Sequence, residues 1–444
     1  MLHTAIEAIT ESDLHSLVRE GKSEDTQLEF KLKLPGNSDE EKREFLKDVS
    51  AMANSEGGDI IYGIKEERSS PEDAGRAAEL VGLIGVGADA TKLWMFELLN
   101  SSIDERLIGV VIRDIQLSSG GFALVVRVPR SWHGPHVVRH RNHWRFYARN
   151  SAGVYAMNVT ELRTAFLLSD TLVQRLETVR EERLHEVFQR YDIPFEKDWS
   201  NIGSSSTDSD RRSLLVLQLQ PFDSVRPGYG IDIVEALHRE SENLRLSGDV
   251  EGTARINFDG VLVTNREDFF QLYRSGSTLE VDSGELTTDF EGSRNTNESI
   301  GATELDRAIF KGVGRRLALL KSLGVTSPVL VSISLLGVKG CNLSVRALFY
   351  VGDSPGGYRH SLSRHRIDRP NLFLSGLVIE NLQELPLEGF RGPVHDNVPR
   401  YWEVVQSLLR PYCDSIWNAF GYPRSTYFDP EGKWLGQVSR EARA

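Results

Sequence analysis

Residues 27 to 64 leave few folds open. From Gln27 to Leu34 the chain alternates strictly. Leu28, Phe30, Leu32 and Leu34 fall on one face, and Gln27, Glu29, Lys31 and Lys33 on the other, the period of a half-buried strand. Pro35-Gly36-Asn37 ends it. Ser38 with Glu41 forms a capping box, and Phe45, Val49, Met52 and Ala53 then share one stripe of a core-facing helix. Gly57-Gly58 offers a left-handed stop, and Asp59-Ile60-Ile61-Tyr62-Gly63-Ile64 reads as a buried strand. Strand, helix and buried strand in that order make a β-α-β unit. Ahead of it, Ser12 caps a short helix through Leu14, Leu17 and Val18 that stops at Gly21. A polar loop is expected at 65–78, a helix near 90–102, and strands near 107–115, 122–128, 136–141 and 144–149. The last two would form a hairpin across Arg141-Asn142-His143. Asn158 and Glu161 make a second capping box. It opens a long amphipathic helix through Leu162, Phe166, Leu172, Leu176, Val179 and Val187.

A chain of 444 residues has room for two to three domains. The polar, serine-rich stretch 196–212 reads as a linker between domains at 1–195 and 213–444. The second domain is expected to hold strands at 213–221, 258–264, 268–274, 328–336 and 344–351. Its helices fall at 231–245, 303–322 and 398–420, with a mobile loop at 275–301. The expected class is therefore α+β twice over, with a mixed sheet in the first domain. This second domain is expected to be a sensor, effector or oligomerisation module, a place for a second copy or a protein partner. No run approaches the ~18 apolar residues of a membrane span, so no membrane partner is expected. The first residues carry neither a basic nor an apolar signal region. The two cysteines, Cys341 and Cys413, have no CxxC spacing, which excludes a cysteine zinc site. The expected compartment is the cytoplasm.

The net charge is −12, which opposes indiscriminate nucleic-acid binding, but the charge is unevenly spread. Residues 115 to 160 contain no Asp or Glu, yet hold Arg127, Arg130, Arg139, Arg141, Arg145 and Arg149 with His133, His136, His140 and His143. A basic segment on an acidic chain suits a local anion site, because a polyanion is attracted there and repelled elsewhere. Trp132, Trp144, Phe146 and Tyr147 interleave with it, as stacking platforms for bases or as packing under the hairpin. Arginines on the solvated face of a hairpin are the plainer alternative. Nothing in the histidine spacing selects zinc; His143 is read as a phosphate contact.

Glu29 and Lys31 share one strand face. A carboxylate beside a lysine is what a metal-dependent nuclease needs, the first to hold a divalent ion and the second to stabilise phosphate charge. E-x-K on a solvated strand is also common surface. Glu24 could join Glu29 only if the chain bends at Asp25-Thr26, and Glu66 only if the two strands pair.

These segments together resemble a known family, the Schlafen-type AlbA domain. The resemblance rests on Glu24, on Glu29-Phe30-Lys31, on Ala51-Met52-Ala53-Asn54-Ser55-Glu56-Gly57-Gly58 and on the strand ending in Gly63-Ile64. It continues at Phe146-Tyr147-Ala148-Arg149-Asn150-Ser151 and at Glu161-Leu162. It spans roughly residues 12–190. It implies nucleic-acid binding and, in some members, divalent-metal-dependent cleavage of structured RNA such as transfer RNA by three carboxylates. Glu24 and Glu29 match two of these with their spacing. The third is an aspartate in the family, where this chain has Lys65-Glu66-Glu67. The implied metal set is Glu24, Glu29 and Glu66 with Mg²⁺ or Mn²⁺, Lys31 assisting. No G-x-x-x-x-G-K-[ST] motif occurs, so ATP hydrolysis is not expected. Asn54 to Gly58 follows a helix C-terminus, where the dipole repels anions, and is a structural turn rather than a phosphate loop. Three readings remain: a DNA- or RNA-binding regulator, a metal-dependent endoribonuclease, and an assembly protein whose basic patch meets an acidic partner.

Overall fold

The computed structural model describes residues 6, 9–67, 75–193, 213–226, 228–240, 243–246, 252–283, 299–351, 354–387 and 400–436. The chain divides into two compact units, Met1–Val173 and Gln174–Ala444. The serine-rich 196–212 segment lies outside the described residues. Both units are α+β.

The first unit runs α1 (Glu11–Arg19), β1 (Leu28–Lys31), α2 (Asp39–Ala53), β2 (Gly58–Tyr62), β3 (Ile64–Glu67), β4 (Arg76–Leu80) and α3 (Ala88–Ser102). It continues with β5 (Ile103–Asp104), β6 (Val111–Gln116), β7 (Phe122–Val128), β8 (Val137–His140), β9 (His143–Asn150) and β10 (Gly153–Ala156). The start of α4 (Val159–Arg190) closes it. One sheet has the order β1-β2-β7-β6 and a second β10-β9-β8-β5. β1 pairs parallel with β2 and β7 antiparallel with β2, so the expected β-α-β unit forms inside a mixed sheet.

Alternation along these strands splits the core. Phe45, Val49 and Met52 of α2 pack with Ile60, Tyr62, Leu124 and Val126 on one face. Leu14 and Leu17 of α1 pack with Leu28, Phe30, Ile61 and Val125 on the other. Each such side chain taken from water is worth about 1.5–3 kcal/mol. Ser38 caps α2 as expected, its hydroxyl accepting from the Glu41 amide, and Asn158 accepts from the amides of Thr160 and Glu161 at the start of α4. The cap of α1 is Thr10, paired reciprocally with Asp13, rather than Ser12. The loop expected at 65–78 is instead flanked by a two-stranded ribbon, β3 with β4; residues 68–74 lie outside the description.

The second unit contains the rest of α4 and β11 (Leu214–Pro221), α5 (Ile233–Arg239), β12 (Thr253–Ile256), β13 (Gly260–Asn265), β14 (Asp268–Tyr273), β15 (Thr278–Asp282) and β16 (Ser299–Gly301). α6 (Ala302–Ser322), β17 (Val329–Leu336), β18 (Asn342–Val351), β19 (Ser354–Leu362), β20 (Leu372–Ile379) and α7 (Arg400–Ala419) complete it. Its main sheet has the order β12-β13-β14-β15-β11-β17-β20. The 275–301 segment, expected as a loop, begins with β15, every residue of which is buried. Glu280 on that strand meets the buried Arg316 of α6 at 2.9 Å, so this acid belongs to a core ion pair. Residues 284–298 lie outside the description. Among the described residues no helix is long and apolar enough to cross a membrane.

Candidate functional site

The site is built where β1, α2 and β9 converge. Residues opposite one another in register share a sheet face, so Glu29 and Lys31, opposite Ile60 and Tyr62, lie on the α2 side. The Lys31 ammonium donates to Glu29 Oε1 at 2.6 Å and sits 3.5 Å from Asp48 Oδ2 of α2. Arg149 of β9, its side chain only 6 % exposed, lies 2.5 Å from Glu29 Oε2. Both oxygens of Glu29 therefore face cations.

Glu24 joins through the bend the sequence required. The Asp25 amide donates to the Leu28 carbonyl at 3.1 Å and the Gln27 amide to Asp25 Oδ1 at 2.7 Å. This reversal lets Glu24 Oε1 accept from the Phe30 amide at 2.6 Å. Glu66 on β3 is half-buried, and its charge reaches Glu24. Burial, then the Glu29 charge, push Glu24 up to about 7, against the lowering effect of the Phe30 N–H; Glu66 adds to the rise. Burial works the same way on Glu29, but Lys31 and Arg149 outweigh it and hold Glu29 below the ordinary carboxylate range. Burial raises Asp48 to about 6 against the pull of Lys31. Burial opposes the Lys31 charge, yet Asp48 and Glu29 keep it above the ordinary lysine value. The result is one cluster in which Glu24 exchanges its proton near neutral pH, Glu29 stays ionised, Asp48 titrates just below neutrality, and Lys31 and Arg149 supply two cations.

The implied divalent ion does not fit this arrangement as it stands. Among the described residues no three His, Cys, Asp or Glu side chains converge as metal ligands. The oxygens of Glu29 are engaged by Lys31 and Arg149, so the cluster is a salt-bridge network.

The arginines of the basic window fall into two groups. Arg127 pairs side-on with the buried Asp59, at 2.8 and 3.0 Å. It lies on the α1 side of the sheet, opposite to Glu29. Arg130 lies over the Trp132 ring at 4.6 Å and 3.6 Å from Glu56. Arg149 is the buried partner of Glu29. These three are engaged by partners inside the fold, so the six arginines do not share one exposed face. Arg139, Arg141 and Arg145 are exposed. Arg139 sits 5.2 Å over Trp144 and 3.2 Å from Asp104, and Arg141 pairs with Asp39 at the N-terminus of α2.

Register also sorts the hairpin by face. His143, Arg145, Tyr147 and Arg149 alternate onto the side of Val138, which packs toward α2. Trp144 and Phe146 take the other. His143 Nε2 lies 2.7 Å from the Tyr147 hydroxyl. Burial first, then the nearby charges of Arg145 and of Arg43 on α2, lower its pKa. These effects favour the neutral imidazole, whose contact with Tyr147 is a hydrogen bond. One face of β9 leads from the exposed Arg145 to Arg149 in the carboxylate cluster.

The turn after α2 holds that strand in place. Asn54 Nδ2 donates to the carbonyls of His136 and Tyr147, each at 2.9 Å, and Asn54 Oδ1 accepts from the His136 amide at 2.7 Å. The Ser55 hydroxyl accepts from the Arg149 amide at 2.8 Å. Gly57, at φ 71°, has no room for a side chain, since a Cβ would stand 2.7 Å from the Arg130 nitrogen. The segment is a structural turn, as its position at a helix C-terminus implied, and its side chains make it a clamp. Asp48 and Arg43 were not among the expected site residues, and Tyr62 was expected only as part of a buried strand. Asp48 left a signal: it sits at i+3 between Phe45 and Val49, an acid beside the buried stripe. Tyr62 is fully buried, and burial, then Asp48 and Glu29, raise its hydroxyl pKa well above the ordinary value.

Residues 24–158 match the family model described as Schlafen, AlbA_2. No curated protein matches the chain. Among solved structures, the N-terminal domain of a RecG-related protein from Nitrosomonas europaea, determined by solution NMR, aligns at 19% identity with a TM-score of 0.25. The alignment covers 32% of this chain and 88% of that one. The motifs that carried the resemblance are the ones that build the clamp and the cluster, and the N-terminal unit of this chain is a Schlafen-type AlbA domain.

Proposed function

We propose that the N-terminal unit binds DNA or RNA along the face of β9 that turns toward α2, in a regulatory or defence role in the cytoplasm. The family is consistent with nucleic-acid binding. One observation carries the reading for this chain: a single strand face runs from an exposed arginine, Arg145, to a buried one, Arg149, held on Glu29. Arg43 and Arg145 bring positive charge to the outer end, where a phosphate would sit. Arg139 and Arg141 flank the hairpin tip. The experiment is oligonucleotide affinity measured against salt. Each phosphate contact contributes roughly −0.7 to −0.9 to the slope of log affinity on log salt. Changing Arg139, Arg141 and Arg145 together to Ala should weaken binding and flatten that slope. Unchanged affinity and slope would move the site elsewhere.

A second reading, a nuclease acting on structured RNA, is favoured by the opposed ionisation of Glu24 and Glu29. A protonated Glu24 could donate to a leaving oxygen, an ionised Glu29 could accept a proton, and Lys31 could offset phosphate charge. Glu29→Gln should then abolish cleavage of transfer RNA while leaving binding intact. The assay is run with Mg²⁺, with Mn²⁺ and with chelator. Wild-type protein that cleaves in none of these conditions contradicts the reading.

A further inference from the structure

The solvent-facing side of α4 within the first unit mixes large apolar side chains with polar ones, where an exposed helix face is ordinarily polar. Val159, Phe166, Leu167 and Val173 are 73, 46, 55 and 61 % exposed. Val159, Phe166 and Val173 recur every seven residues and therefore keep to one stripe, about 21 Å long. The stripe continues onto β9, where Phe146 meets Phe166 edge-on with centroids 5.9 Å apart. Trp144, 59 % exposed, lies on the same strand face as Phe146. A contiguous apolar surface of this kind marks an interface, and it lies on the side of the hairpin away from Arg145 and Arg149.

Charge on the stripe indicates its occupant. Arg163 and Asp170 are exposed beside Phe166 and Leu167, seven residues apart. In an antiparallel pair of α4 helices with its two-fold between positions 166 and 167, Phe166 faces Leu167 of the second copy. Arg163 then faces Asp170, and Asp170 faces Arg163. This is the reciprocity that a two-fold interface demands. Two ion pairs about 10 Å apart bracket an aromatic and aliphatic centre, and opposed helix dipoles favour the antiparallel sense. We infer that the N-terminal unit forms a homodimer through the Val159–Val173 face of α4, leaving the Arg145–Arg149 face of each hairpin outward, with Arg139 on the Trp144 side at the rim of the interface. The dimer would present two nucleic-acid faces at once, so a long polyanion gains from the second contact as an intramolecular event.

The test is the mass of the full-length chain by light scattering after gel filtration, between about 1 and 100 µM. Wild type should run as a dimer at the upper end. Leu167→Glu, at a position not packed into the core, should shift it to monomer with an unchanged circular dichroism spectrum. Arg163→Asp and Asp170→Arg should each weaken the dimer at least tenfold, and the double exchange should restore it, an outcome that a general loss of structure would not give. A wild-type monomer throughout the range overturns the inference. So does a dimer indifferent to Leu167→Glu and to the charge reversals, and so does failure of the double exchange to restore association.

Discussion

Glu24 and Glu29 are the same side chain five residues apart, and their surroundings send them in opposite directions. Glu24 is half-buried beside a neighbouring carboxylate and shifts to about 7 from the ordinary 4.5. Glu29 is flanked by Lys31 and Arg149 and shifts down. Because the folded pKa of Glu24 exceeds the unfolded one, the native state holds the extra proton. Its contribution to stability is full below about 4.5 and is lost as pH rises through about 7. Glu24→Gln keeps an acceptor for the Phe30 amide and removes the charge. The variant should match wild type near pH 4 and exceed it at pH 8 by about 1–2 kcal/mol, after discounting for the partial exposure of the group. Urea denaturation at the two pH values measures this, and a Gln variant weaker than wild type at pH 8 contradicts it. The spacing of Glu24 and Glu29 and the need for a bend were legible in the sequence. Their ionisation was not, because it depends on burial and, for Glu29, also on Arg149, which is 120 positions away; both arrive only with the tertiary fold. The six arginines look equivalent in one dimension for the same reason: Asp59 claims Arg127 through strand pairing.

At the scale of elements, the β-α-β opening was readable because alternation, capping and the glycine stop all agreed, and local consistency of this kind specifies structure. The ribbon β3–β4 and strands β5, β10, β12, β15, β16, β19 and β20 were missed. β15 is short, carries Glu280 in the middle and depends on Arg316 to neutralise it, so composition alone suggested a loop. Asn54 joins these elements. It satisfies two carbonyls and one amide of residues 82 and 93 positions away. Its loss leaves buried groups unpaired at about 1–3 kcal/mol each. Asn54→Ala should therefore destabilise the unit by about 2–4 kcal/mol and accelerate hydrogen exchange at the His136 amide while leaving α1 protected. Wild-type protection at His136 in the variant would show that the clamp does not hold the hairpin.

Over the whole molecule, charge segregation was the most informative signal that the sequence carried about function. A window of +6 lies within a chain of −12, and the fold spends half of its arginines internally. What remains outward on the hairpin is Arg139, Arg141 and Arg145, with Arg43 contributed by α2. The second unit organises its own core around α6 and the seven-stranded sheet, and its sequence pointed to its class and most of its larger elements but to no ligand. The central claim is that the β9 face toward α2 meets nucleic acid, and the most direct measurement compares Arg145→Ala with Arg127→Ala. Both remove one arginine from the same acid-free window, yet only Arg145 is exposed on the proposed face. The salt dependence of affinity for a labelled oligonucleotide should flatten by roughly 0.7 to 0.9 in Arg145→Ala. In Arg127→Ala the slope should stay at the wild-type value even where stability falls. Equal slopes for wild type and Arg145→Ala, or a flattened slope for Arg127→Ala in folded protein, would contradict the account.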